Sequence, residues 1–166
     1  MVSEQVLIDE FERISRFEVE QATELINQFE EEQPDICEFI IDNSENYSEM
    51  EAEIQMFGAL VIWQSLKADK GKIPEVGYES IEECVKANVA MFEQLDEESA
   101  GDAYVFVEKM VASYPQPNLL MYIIEMLLTV DDDEEVDVEN FSAISEEAKV
   151  NILLTLKSIV DCLDEA

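Results

Sequence analysis

Apolar residues recur at helical spacing from one end of this chain to the other, and that rhythm predicts an all-α fold. Leu7, Phe11, Ile14 and Phe17 continue into Ala22, Leu25, Ile26 and Phe29, which predicts a first helix from about Glu4 to Glu31. A second is expected to open at Pro34, because proline suits the first helical turn, where its missing N–H would be unpaired anyway. A third should follow Ser48, with Glu51 completing a capping box. Lys67, Lys70, Gly71 and Pro74 then read as its end. Ser80 and Glu83 suggest a capping box for a fourth helix. A fifth is expected from near Ser99 to Pro115, a sixth from Pro117 to Val130, and a last one after Ser145. The pattern thus predicts a single-domain bundle of about seven helices.

A faint internal repeat runs beneath this pattern. Gln33-Pro34-Asp35-Ile36 is echoed by Gln116-Pro117-Asn118-Leu119, and Phe39-Ile40-Ile41-Asp42 by Tyr122-Ile123-Ile124-Glu125. Upstream, Phe11 to Ile14 resembles Phe92 to Leu95, with a two-residue gap relative to the proline matches. Two stacked three-helix units, α-solenoid-like, with halves of about 1–75 and 76–166, would explain the echo. Two amphipathic helix pairs that look alike by chance would also produce it.

Composition changes the picture from fold to function. The 166 residues include 41 acids against 9 bases, a formal net charge of -32. Apolar residues make up 48%, enough for a core and too many for a disordered acidic tail. A halophile surface would also give the acid excess, although the plentiful Ile, Phe and Met argue against it. Met1 to Phe11 carries acids and no base, unlike a secretory leader. No apolar run approaches the roughly 20 residues of a membrane span. Cys37, Cys84 and Cys162, odd in number and far apart, read as buried thiols in a reducing cytoplasm.

The absence of histidine removes the commonest general base, the Ser-His and Cys-His pairs, and the usual zinc and di-iron ligand sets. No Cys-x-x-Cys pair occurs, and four glycines could hardly build a phosphate loop. A non-enzyme without cofactor or metal is therefore expected. Asp131, Asp133, Glu135 and Asp137 fall at calcium-loop spacing, but Val136 stands where the turn needs glycine and Ser142 where a bidentate glutamate should close the shell. This acidic run, with Asp132 and Glu134, reads better as a solvated loop.

Direct nucleic-acid binding and anionic membranes are disfavoured, because only Lys67, Lys70 and Lys72 cluster. The natural partner is a basic protein such as a nuclease, toxin, repressor or defence protein. A folded chain of this mass exposes roughly 8,400 Å². Thirty-two net charges on it give about one per 260 Å², against very roughly one per 110 Å² for duplex DNA. One crowded face could match DNA. Glu20 with Glu24, Glu49 with Glu53, and Glu79 with Glu83 are like charges four apart, each pair costing about 0.2–0.5 kcal/mol. Glu30, Glu31 and Glu32 sit at the negative pole of the first helix.

Glu20, Glu24, Glu30, Glu31, Glu32, Glu45, Glu49 and Glu53, with Asp131 to Glu135, are the expected contact acids. The function expected is an inhibitor or mask of a nucleic-acid-handling protein, by nucleic-acid mimicry or as a nuclease-toxin immunity protein. Two alternatives are a helical adaptor or chaperone with an apolar groove and a carboxylate metal protein. Leu119 to Val130 carries one charge and reads as a central core helix. A partner or homodimer surface through Leu120, Tyr122 and Met126 is the sharper reading.

Overall fold

Local capping chemistry sets most helix ends. In the computed structural model, which describes residues 1–129 and 144–166, the elements are α1 (Glu4–Ser15), α2 (Val19–Glu32), α3 (Pro34–Asn43), α4 (Glu49–Lys70), α5 (Tyr78–Ser99), α6 (Ala103–Val111), α7 (Pro117–Thr129) and α8 (Glu146–Glu165). Among the described residues the fold is all-α, one domain of eight helices without a strand. Ser48 accepts from the Glu51 N–H at 3.2 Å while Glu51 accepts from the Ser48 N–H at 2.9 Å. Ser145 caps α8 through the Ala148 N–H at 3.1 Å. Gly71 closes α4 at φ +81°, a left-handed angle that glycine adopts without steric cost.

Three boundaries differ from the periodic reading. The first long helix is two, because Gln21 accepts from the Glu18 N–H at 3.0 Å and starts α2 afresh. The fourth expected helix opens at Tyr78, not at Ser80. Its first turn is held by Asp35 of α3, which accepts from the Tyr78 N–H at 3.0 Å. That partner lies 43 residues away, so the Ser80–Glu83 pair is a false capping signal. The next helix starts after Asp102, whose carboxylate accepts from the N–H groups of Tyr104 and Val105, while α5 runs on through Ser99.

The two Gln-Pro segments do the same work. Gln33 is fully buried; it donates to the Pro74 carbonyl at 2.9 Å and accepts from the Val76 N–H at 2.9 Å. Gln116, also buried, accepts from the Val2 N–H at 2.9 Å, and Asn118 donates to the Val2 carbonyl at 2.9 Å. Each glutamine thus pins a residue two positions before a helix in the other half of the chain, Val76 before α5 and Val2 before α1. A buried backbone amide without a partner would cost about 1–3 kcal/mol, so both clamps are energetically needed.

The centre belongs to α4 and α8, which pack on each other, with α1 against α4 and α5 against α8. Ala59 to Trp63 and Thr155 to Val160 are buried on every side. Gly58 permits the approach: a Cβ there would lie 2.8 Å from a Leu156 methyl. Trp63 and Phe29 meet at 4.7 Å between ring centroids. A second, smaller apolar cluster joins Leu95, Met110, Leu120 and Ile124. The expected core helix α7 sends Leu119, Ile123 and Leu127 into the main core and Leu120 and Ile124 into the second cluster, while its far side leaves Leu128 62% exposed. Among the described residues no helix is long and apolar enough to cross a membrane.

Candidate protein-interaction surface

The bases of this protein are mostly spent on its own acids. Arg13 pairs with Glu10 and Arg16 with Glu12 on α1. Lys67 holds Glu32, Lys70 holds Asp164, and Lys109 holds Glu98. Lys149 pairs with Glu146 and Lys157 with Asp161. Lys72 and Lys86 are the exposed remainder of the nine. Since 41 acids share these few cations, most of the carboxylates among the described residues are exposed without a salt-bridge partner.

The expected contact acids divide accordingly. Glu20 and Glu24 on α2, Glu49 and Glu53 on α4, and Glu30, Glu31 and Glu45 are all exposed. Glu32 is not available in the same way. Its two oxygens receive Lys67 Nζ at 2.9 and 2.8 Å, and the ammonium also lies 4.7 Å from the centre of the Trp63 ring. Burial pushes this carboxyl upward, but the Lys67 and Gln28 hydrogen bonds and the Lys67 and Lys72 charges outweigh it and hold it below its ordinary value. Glu32 is therefore a brace between α2 and α4, with its side chain 31% exposed. Asp131, Asp132, Asp133, Glu134 and Glu135 lie outside the described residues. Among the described residues no group of three or more acids or thiols is arranged to hold a metal ion.

One acidic concentration was not legible in the sequence. Glu75, Glu83, Asp161 and Glu165 converge with Ser80 and Cys84 on a cleft of about 390 Å³ between α5 and α8. They come from three separate stretches of chain, and the only local hint is the four-residue spacing of Asp161 and Glu165. Burial raises the Cys84 thiol above its ordinary value, and the Glu165, Asp161 and Glu83 charges add to that against a hydrogen bond with Cys162. Cys37, buried near Glu30, is pushed up to about 11. All three cysteines are free thiols, Cys37 and Cys162 buried and Cys84 half-buried. Raised thiols are poor nucleophiles at neutral pH.

The expected apolar contacts also divide. Leu120 is fully buried, which removes it from the surface. The all-apolar sequence around it does not say which side faces the protein, and the α5–α6 pair supplies the cover. Tyr122 and Met126 do line a groove of about 520 Å³ between α1 and α7, together with Leu7, Ile8, Phe11 and Met121. Phe11 packs edge-on against Tyr122 at 5.9 Å and Phe57 at 5.7 Å. Ile8 and Met121 were missed because neither falls on a stripe that singles it out.

An exposed surface of one sign repels itself, and mobile ions relieve that repulsion. Raising salt from about 20 to about 200 mM, which shortens the screening length to below ~10 Å, should therefore raise the melting temperature. Calorimetry or circular dichroism reads this directly. A flat response would mean that a bound species already compensates the charge.

Fold and surface together define an all-α, single-domain protein with an uncompensated anionic exterior. No protein-family model, no curated protein and no solved structure matches the chain.

Proposed function

We propose that this chain is a non-enzymatic acidic binding protein that masks a basic, nucleic-acid-handling protein. It would do so by presenting carboxylates where the partner expects phosphates, in the manner of a nucleic-acid mimic or a nuclease-toxin immunity protein. The observation that carries the reading is the asymmetry of the ion pairs. Seven of nine bases are committed within the fold, while Glu20, Glu24, Glu49 and Glu53 stand exposed at spacings that cost stability. Rigid helices hold these charges in place, so a partner does not have to order them on binding. Long-range attraction would steer encounter and make binding fall steeply with salt.

The test is a pull-down on the immobilised chain at low salt, with elution by rising salt. The expected catch is a basic protein that releases well below 1 M salt, where screening lengths shrink to about 3 Å. Added duplex DNA or RNA should displace it, and added chain should suppress its nucleic-acid binding in solution. A partner retained regardless of salt, or one that holds nucleic acid and this chain together, would defeat the reading.

A further inference from the structure

We infer that the α1–α7 groove is the seat of a cationic amphipathic helix of the partner, an inference that rests on the masking function above. α1 and α7 are tied where Asn118 donates to the Val2 carbonyl at 2.9 Å, and the groove extends beside that tie as far as Thr129. From Asn118 to Thr129 is about 16 Å of helix, room for roughly three turns of an occupant. Its floor is apolar. Ile8 and Phe11 remain 42% and 40% exposed at the groove surface. Met121 and Met126 are half-buried in its wall, Met121 packed on the second apolar cluster and the Met126 methyl directed at Gly58 of α4.

The rim selects the sign of the occupant. Glu4 and Glu125 line the groove and no base does. A second copy of this chain would bring its own acids against these two, with a net charge of -32 on each body. A helix with an apolar stripe flanked by Lys or Arg satisfies both floor and rim. The groove thus adds an apolar anchor to a charge-steered encounter: the acids govern how often the partner arrives, and the groove governs how long it stays.

Two peptides of about 14 residues, four helical turns, test this. Both contain the same leucines and lysines. One places leucine at i, i+3, i+4 and i+7, and the other scrambles the stripe. Binding is followed by the methyl resonances of the methionines and by calorimetry at low and physiological salt. The striped peptide should bind about tenfold tighter or more, the worth of one or two buried apolar side chains. It should shift the Met121 signal and leave Met50 unmoved. Ile8→Ser with Met121→Ser should bring it down to the scrambled level, with helicity unchanged.

Equal binding of both peptides with an unmoved Met121 signal would overturn the groove and leave the masking function standing. Binding of neither peptide at low salt would overturn both. Self-association that shifts the same methyl without peptide would give the seat to a second copy and overturn the inference.

Discussion

Replacing Asp161 by alanine should cost this protein about 3 kcal/mol of stability or more, the largest expected effect of any single carboxylate. Asp161 accepts from Lys157 Nζ at 3.0 Å, from Asn88 Nδ2 at 2.8 Å and from the Tyr114 hydroxyl at 2.5 Å. Lys157 is 5% exposed at its side chain, and it also donates to Asn88 Oδ1 at 2.6 Å and sits 4.5 Å from the Tyr114 ring centre. The group ties α5 and α8 to the segment ahead of α7. Without the carboxylate, a buried ammonium keeps only a neutral amide oxygen and a ring face, and the Tyr114 hydroxyl loses its acceptor.

Breaking one side of a buried pair costs about 3–5 kcal/mol, and the 21% exposure of Asp161 places the expectation at the lower end. For a domain of this size that is a fall of roughly 10 °C in melting temperature. Lys157→Met combined with Asp161→Leu should recover the part of the loss that comes from the unpaired ammonium, while the Tyr114 hydroxyl still lacks its acceptor. A drop below about 1 kcal/mol for Asp161→Ala would show the network to be solvated.

Glu24→Lys together with Glu53→Lys should slow capture of the basic partner about tenfold at low salt while making the fold slightly more stable. Both residues are exposed, and both stand four positions after another glutamate, Glu20 and Glu49. Each replacement turns a repulsive pair into an attractive one with the acid on the N-terminal side, the favourable orientation. The two gains together come to about 1 kcal/mol. A merely soluble face predicts no change in capture, and a binding face predicts that stability and binding move in opposite directions. Stopped-flow association at several salt concentrations, alongside thermal melts, separates the two. An unchanged rate would remove the exposed faces of α2 and α4 from the contact.

The four-residue spacings of those glutamates were legible because exposure of a charged helix face is a local matter. Glu32 shows where such reading stops. It follows Glu30 and Glu31 in the same run, yet one helical step carries it to Lys67, 35 residues along the chain. Leu120 shows the same for apolar positions, since a helix apolar all round does not say which side its neighbours will cover. The acid cleft over α5 and α8 is a third case, assembled from positions 75 to 165.

The sequence by itself determined that the chain is helical, where Pro34, Ser48, Gly71, Pro117 and Ser145 start or stop its helices, and that its exterior must be strongly anionic. Those features depend on neighbours within one helical turn. The tertiary structure alone decided that Asp35 supports the start of α5. It also decided that α4 and α8 form the centre, and which acids are consumed by lysines and which face water. Those outcomes depend on contacts between residues dozens of positions apart, and no period along the chain encodes such a contact.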